Sequence, residues 1–199
     1  MLVTSLLALT AAALPGTAAA ASRMYVGFQD DPSLRWRDDR AAAFDQAAQA
    51  NATIVRTTVY WSRIAPTRPV HPTNPFDAAY RFDDLDEFVR NAQLRGMEVM
   101  LTIWGTPTWA NGGRGQNRAP SRGQDLQDFA RALAARYSGR NPGLPFVRYF
   151  TVWNEPNLGQ FLSPTFDASG KPVSPSIYAA LYRAAYAGIK AGSPKALVG

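Results

Sequence analysis

The chain has 199 residues, of which 46% are hydrophobic and 18% charged, with a formal net charge of +6 and no cysteine. These values favour one soluble globular domain over a disordered or fibrous protein, and they exclude disulfides, a thiolate nucleophile and a cysteine-based metal site. The positive charge comes mostly from arginines scattered along the chain without a nucleic-acid recognition motif, so we expect no nucleic-acid partner.

Residues 1–21 predict a secretory signal peptide. The apolar stretch from Leu2 to Leu14 is followed by Pro15-Gly16 and by small residues up to Ala21, as in an h-region with a cleavage site, although a basic n-region is missing. The stretch is too short for a membrane span, and an alanine-rich surface helix is the alternative. We expect cleavage near Ala20 or Ala21, secretion to the extracellular space or periplasm, and no membrane association afterwards.

The mature domain, residues 22–199, alternates between predicted strands and helices. Runs of β-branched and aromatic residues predict strands at 24–28, 54–59, 98–104, 146–153 and 196–198. Apolar residues at helical spacing predict helices at 40–50, from Asp83 or Asp84 to Gly96, at 124–137 and at 175–191, and either aspartate can cap the second of these. This alternation predicts parallel strands with right-handed crossovers. No glycine fingerprint follows the first strand, which disfavours dinucleotide binding.

The fourth predicted strand ends in Trp153-Asn154-Glu155-Pro156-Asn157. Glu155 therefore lies at the carboxyl end of a strand, where parallel barrels carry their active sites. Ordinary turn chemistry after a strand is the alternative. The full string resembles the fourth-strand motif of the clan A glycoside hydrolases, in particular the cellulase-like families 5 and 39. The resemblance implies that Glu155 is the general acid/base and that Asn154 hydrogen-bonds the sugar 2-hydroxyl.

Two earlier segments resemble the same clan in the same order. Val55-Arg56 with the residues 60–66 is similar to its second-strand segment, and Leu101 to Ala110 is similar to its third-strand segment. The resemblance implies an α/β fold, namely the N-terminal portion, about five strands, of a (β/α)8 TIM barrel. It also implies that Arg56 orients the nucleophilic carboxylate and keeps it ionised. An ion pair in the barrel interior is the alternative role for Arg56.

Trp61, Trp104 and Trp109 are candidate faces for sugar rings, with core packing as the alternative for each. Trp109 lies beside a Gly-rich stretch, and we expect it to be the exposed one. His71, the single histidine, falls in a Pro- and Asn-rich segment, and the chain has no Gly-x-Ser-x-Gly elbow. We therefore expect no Ser-His-Asp triad and assign His71 to a loop.

A glycosidic oxygen leaves poorly unless it is protonated, so a carboxylic acid has to lie beside it. Burial among aromatic residues, or a second carboxylate nearby, raises the pKa of a glutamic acid in the required direction, and Trp153 and its neighbours are the residues expected to provide the burial. Hydrolysis with retention also needs a second carboxylate about 5 to 5.5 Å away. In the clan this is a seventh-strand Glu, which would fall beyond Gly199. The chemistry requires no metal or cofactor.

Three interpretations remain open from the sequence. In the first, the chain is part of a secreted retaining glycosidase that acts on a β-linked glycan or glycoside and carries its nucleophile beyond Gly199. In the second, it is a carbohydrate-binding remnant of the same fold that does not hydrolyse. In the third, Asp30 or Asp31 supplies the partner carboxylate. Neither the particular glycan nor the oligomeric state follows from the sequence.

Overall fold

The computed structural model describes residues 24–199, and the predicted signal peptide lies outside the described residues. Five parallel strands form one sheet in chain order. The strands are β1 (Gly27–Phe28), β2 (Ile54–Tyr60), β3 (Glu98–Trp104), β4 (Tyr149–Val152) and β5 (Leu197–Val198). The helices are α1 (Arg40–Gln49), α2 (Trp61–Ile64), α3 (Asp83–Leu94), α4 (Thr108–Asn111), α5 (Gly123–Arg136) and α6 (Ser174–Gly192), and a π-helical turn (Pro32–Trp36) follows β1. This order confirms the predicted α/β class.

The strands and the four longer helices lie where the sequence places them, with β3 matching at both ends. The sequence did not predict the π-helical turn, α2 or α4, because four or five residues are too few to show a helical period. The predicted cap of α3 was wrong. Phe82 is the N-cap residue and no side chain caps the helix, whereas Asp83, Asp84 and Asp86 lie in its first turn. There the carboxylates favour the helix dipole, and Asp84 and Asp86 also pair with arginines of other elements.

The pairing register decides which side chains share a face of the sheet. β2 and β3 pair from Ile54 with Glu98 to Tyr60 with Trp104, and β4 continues the row opposite β3. Side chains alternate along a strand, so Val55, Thr57 and Val59 face the helices and are buried. The intervening side chains of β2 lie on the opposite, concave face of the sheet.

The helices pack on the convex face, and α5 and α6 approach each other most closely. A Cβ atom added at Gly188 would lie 2.1 Å from the carbonyl oxygen of Gln127, and one at Gly192 would lie 2.3 Å from that of Arg131. The two helices therefore touch backbone to backbone, which only glycine permits at these positions. Among the helices of residues 24–199, none combines the length and the hydropathy of a membrane span.

Candidate active site

A cleft of about 410 Å³ opens at the carboxyl ends of the first four strands. Each strand or the segment after it contributes to the lining: Gln29, Asp30, Asp31, Pro32 and Trp36 follow β1, Thr58 and Tyr60 end β2, Trp104 ends β3, and Asn154 and Phe161 follow β4. Aromatic side chains alternate in this lining with groups that hydrogen-bond. Such a lining suits a ligand that has both apolar faces and hydroxyls.

Arg56 connects three strands at the base of the cleft. Its Nε donates to Thr102 Oγ1 at 2.7 Å, and its Nη2 donates to Asn154 Oδ1 at 2.9 Å. Thr102 in turn shares a hydrogen bond of 2.7 Å with Thr151. No carboxylate within residues 24–199 forms an ion pair with Arg56, so the alternative role in an interior ion pair is not seen in this part of the chain.

The contact with Arg56 determines how the amide of Asn154 is turned. A guanidinium only donates, so Oδ1 of Asn154 has to face it and Nδ2 has to face the other way. Nδ2 lies 3.4 Å from Glu155 Oε2. The structure thus brings together Arg56, Asn154 and Glu155, and it leaves the amide N–H groups of Asn154 directed toward the carboxylate and the cleft.

Glu155 lies on a constrained turn. Trp153 has φ = 69° and Glu155 has φ = 35°, backbone angles that residues other than glycine rarely adopt. The amide of Trp153 donates to Ile103 O at 2.8 Å, and Leu158 donates to Glu155 O at 2.9 Å, so hydrogen bonds hold the turn on both sides. Positive φ at a polar strand end is a feature found often at functional sites.

The expectation that Trp153 buries Glu155 was wrong. Trp153 is itself buried, packed beneath the loop, and Glu155 is exposed. The indole N–H of Trp153 donates to the carbonyl oxygen of Phe161 at 2.7 Å, and the indole N–H of Trp104 donates to the same oxygen at 3.1 Å. Both tryptophans therefore anchor the loop that carries Glu155, rather than cover its carboxylate.

The three candidate tryptophans have different environments. Trp104 lines the cleft, with its ring against Tyr60 at 5.6 Å and against Phe161 at 6.0 Å. Trp61 has an exposed fraction of 0% and stacks on Phe129 at 5.4 Å. A ring buried in this way has no face free for a sugar, which corrects its assignment as a sugar-binding side chain.

Trp109 is half-buried and lies outside the cleft lining, so the expectation that it is the exposed tryptophan was also wrong. Its indole N–H donates to Ala65 O at 2.8 Å, and the guanidinium of Arg68 lies over its ring at 4.4 Å. The edge of its ring meets Trp61 at 5.7 Å. Trp109 thereby joins the segment after α2 to α4.

Sequence reasoning missed three aromatic residues of the cleft, namely Trp36, Tyr60 and Phe161. The alternation of β2 carried a signal for Tyr60, because Arg56, Thr58 and Tyr60 share one face of the strand. Trp36 and Phe161 lie in irregular segments, where no period indicates the direction of a side chain.

The acidic pair after β1 also reaches the cleft. Asp31 is buried, and its carboxylate accepts hydrogen bonds from the Thr57 hydroxyl at 2.5 Å and from the Thr58 amide at 3.3 Å. Asp30 is exposed, and its carboxylate accepts from the amide of Ser33 at 3.3 Å. Two carboxylates that differ in burial therefore stand on the side of the cleft formed after β1.

A parallel α/β sheet with an Asn-Glu pair at a strand end and an aromatic cleft beside it is typical of the barrel glycoside hydrolases. The model of one family of this class, "Cellulase (glycosyl hydrolase family 5)", matches residues 21–197. The chain belongs to this family.

Related proteins agree with the fold. The beta-glucosidase-like protein SFR2, chloroplastic, of Oryza sativa subsp. japonica is 27% identical over 144 residues, which are 70% of this chain and 20% of that protein. A glucosidase from Croceicoccus marinus superposes with a TM-score of 0.58 at 20% identity, covering 78% of this chain and 32% of its own. The GH39 enzyme of Xanthomonas axonopodis pv. citri superposes with a TM-score of 0.54 at 22% identity, and the match covers 88% of this chain and 34% of that enzyme.

The family model confirms the resemblance to family 5, and the solved structures, a family 39 enzyme among them, confirm the expected portion of a TIM-barrel fold. The chain spans about a third of the length of the solved structures that it matches and a fifth of the curated relative.

Proposed function

We propose that the chain carries the acid/base side of the active site of a secreted, retaining glycoside hydrolase that acts on a β-linked glycan or glycoside. The observation that carries the proposal is the contact sequence from Arg56 through Asn154 to Glu155 at the ends of adjacent strands. Names of relatives such as beta-glucosidase-like protein support the β-linkage. The nucleophile in this proposal is a glutamate beyond Gly199.

In the first step, the carboxylic acid of Glu155 donates its proton to the glycosidic oxygen while the nucleophilic carboxylate attacks the anomeric carbon. The bond to the leaving group breaks, and a covalent glycosyl-enzyme forms. In the second step, the Glu155 carboxylate takes a proton from water, which attacks the anomeric carbon and releases the nucleophile. The amide N–H of Asn154, fixed by Arg56, donates to the sugar 2-hydroxyl.

A second candidate function is glycan binding without hydrolysis. The row of aromatic side chains in the cleft, Trp36, Tyr60 and Trp104, favours it, because such rings bind sugars whether or not a glycosidic bond is cleaved.

The test uses the natural secreted protein, its intact mass and an aryl β-glycoside panel. The acid/base role of Glu155 is supported if Glu155→Ala abolishes hydrolysis and added azide restores turnover. The product should then be a glycosyl azide of retained configuration. Binding of insoluble glycan without release of reducing sugar by the wild type supports the second candidate. Full activity of Glu155→Ala contradicts the proposed role of this residue. An intact mass equal to that of a chain ending at Gly199 contradicts the proposed position of the nucleophile.

A further inference from the structure

The loops that follow β2 and β3 carry arginines but no acidic residues. Residues 61–76 and 105–124 contain no aspartate or glutamate. We call their arginines the arginine rim: Arg63, Arg68, Arg114, Arg118 and Arg122. We propose that the arginine rim binds the charged groups of an acidic glycan, namely uronic-acid carboxylates or sulfate esters that lie outside the cleft. This inference rests on the proposed function, because it assumes that the candidate active site takes a carbohydrate.

The arginine rim adjoins the candidate active site. In the loop after β3, the side chain of Gln116 accepts a hydrogen bond of 3.0 Å from the Ser62 hydroxyl at the start of α2. The side-chain amide of Asn117 donates at 2.8 Å to the carbonyl oxygen of Gly159, in the connection that carries Glu155. The loops after β2, β3 and β4 are therefore joined at one edge of the sheet. A glycan that extends from the cleft across these loops meets the arginines.

The loop after β3 has a fixed shape. The buried side chain of Asn111 donates to Gly115 O at 2.8 Å and accepts from the amide of Arg114 at 3.2 Å. Gly112 and Gly115 have φ angles of 66° and 100°, which glycine adopts without steric cost. A loop held in this way presents its arginines with little loss of backbone entropy when a ligand binds.

Two members of the arginine rim share one carboxylate. Oδ1 of Asp125 lies 2.9 Å from Nη1 of Arg68 and 2.5 Å from Nη2 of Arg122. Asp125 is buried, whereas both arginines are exposed. The shared carboxylate holds the two guanidinium groups close together and neutralises only one of their two charges.

The other three members have no carboxylate partner. Arg63, Arg114 and Arg118 form no ion pair in the part of the chain that the structure describes. Arg63 lies over the ring of Tyr60, a cleft residue, at 4.7 Å, and Arg114 Nε donates to Asn111 O at 2.8 Å. The five guanidinium groups thus meet a single carboxylate. Their remaining donors suit the carboxylate or sulfate of a ligand, which guanidinium binds through paired hydrogen bonds.

The charges of the cleft decide where the acidic groups of the glycan lie. Asp30 and Asp31 line the cleft, so an acidic sugar inside it would be repelled. Neutral rings therefore fit the cleft, and acidic groups fit the loops beside it. A glycan meets both requirements because its charges can be spaced along the chain. A nucleic acid carries a phosphate at every nucleotide and would bring charge into the cleft as well.

The test measures binding calorimetrically in the natural protein carrying Glu155→Gln. The probes are three β-1,4-linked hexasaccharides that differ only at the exocyclic carbon: cellohexaose, its sulfated form and the glucuronic acid hexamer. In about 50 mM NaCl, Kd should be at least about tenfold lower for an acidic hexamer than for cellohexaose. In about 300 mM NaCl, screening should shrink this difference. The two acidic probes show which group is preferred.

The arginines are tested by substitution. Arg114→Gln combined with Arg118→Gln should raise the Kd of the preferred acidic hexamer about tenfold or more. Lysine at both positions keeps the charge and should recover part of the affinity. Arg90→Gln combined with Arg183→Gln is the matched control, because it removes the same charge from exposed positions on α3 and α6. A thermal melt of each variant verifies folding.

The outcomes separate this inference from the proposed function. The arginine rim is refuted if the acidic hexamers do not bind, if they bind no more tightly than cellohexaose, or if the control variant weakens binding equally. Hydrolysis of aryl β-glycosides by the wild type would still support the glycosidase. Tighter binding of a dT hexanucleotide than of either acidic hexamer would assign the arginines to nucleic acid and overturn the inference. Preference for acidic hexamers without hydrolysis of any glycoside would retain the arginine rim and refute the glycosidase.

Discussion

Arg56 donates a hydrogen bond of 2.9 Å to the side-chain oxygen of Asn154, across 98 residues of sequence. The contact exists because β2 and β4 flank β3, and because the chain leaves β4 through the positive φ of Trp153, which brings Asn154 within reach of Arg56. It turns the amide of Asn154 so that its N–H groups are available to a ligand. The orientation of a binding group next to Glu155 is thus determined by a residue two strands away.

If the protein is the proposed glycosidase, replacing Arg56 by methionine should lower its kcat about 100-fold, because the amide of Asn154 loses the partner that orients it. The measurement is steady-state hydrolysis of an aryl glycoside, combined with Asn154→Ala in a double-mutant cycle. Coupled residues should give a double variant little worse than either single one. Fully additive losses would show that Arg56 does not act through Asn154. Arg90→Met, on the exposed side of α3, is the matched control.

Replacing Gly188 by alanine should destabilise the fold by about 1 to 3 kcal/mol, since the new methyl group would meet the backbone of α5 at 2.1 Å. Urea unfolding followed by circular dichroism gives the change in the free energy of unfolding. Gly123→Ala is the control: its Cβ would lie at an ordinary 3.8 Å from Ala184 Cβ, and alanine favours a helix. Equal stability of the two variants would contradict close backbone packing of α5 on α6.

Acid should weaken the fold partly through Asp125. Burial alone would raise the pKa of this carboxyl group, but hydrogen bonds and charge interactions with Arg122 and Arg68 outweigh burial and lower it. A folded-state pKa below the unfolded value means that the carboxylate contributes stability above the unfolded pKa, about 4, and that this contribution disappears as the pH falls through the folded-state pKa.

The free energy of unfolding of Asp125→Asn should therefore fall below that of the wild type at pH 6, and the difference should shrink progressively below about pH 4. Denaturant titrations at pH 6, 4 and 3 measure it. Asp38→Asn provides a comparison, because Asp38 is exposed. A difference that stays constant across this range would mean that the two arginines do not affect the titration of Asp125.

The buried carboxylate of Asp86 joins α3 to α5. It pairs with Arg136 and accepts a hydrogen bond of 2.8 Å from the hydroxyl of Tyr137, whose pKa burial raises well above its usual value. Asp86→Ala should cost about 3 kcal/mol, because it removes the carboxylate partner of the largely enclosed Arg136 guanidinium and of the buried Tyr137 hydroxyl. Tyr137→Phe removes one hydrogen bond and should cost about 1 kcal/mol. Thermal and urea unfolding of the two variants measure the loss in the free energy of unfolding. Similar losses for both variants would mean that the ion pair contributes no more than the hydrogen bond from Tyr137.

Much of the fold could be read from local patterns. The β-branched run of β2 and the apolar spacing of α5 each follow from a few neighbouring residues, and the polar stop at Asn154-Glu155 marks a strand end. The parallel order then brings Arg56 and Asn154 together. These predictions succeeded because each depends on a short stretch and on one general rule of topology.

Which tryptophans are buried and which line the cleft could not be predicted from local patterns. Trp61 is buried because α2 turns its ring onto Phe129 of α5, and Trp36 reaches the cleft because a π-helical turn redirects the chain after β1. The two side chains have the same chemistry, and only contacts between segments distant in sequence separate a core residue from a cleft residue. The positive φ angles of Trp153 and Glu155 likewise carry no signal in their residue types.

The carbonyl oxygen of Phe161, which accepts from two indoles, divides the long connection between β4 and α6 into parts with unequal tolerance to change. The indole of Trp153 donates to Phe161 O, so the segment between them forms a closed loop, and an inserted residue there would shift Glu155. Residues 164–173 form a separate excursion, joined near its base by the bridge between Phe166 and Pro172. Extra residues at the tip of this excursion would cost little and leave the carboxylate in place. The length of this connection can therefore change, in evolution or by design, while the position of Glu155 stays the same.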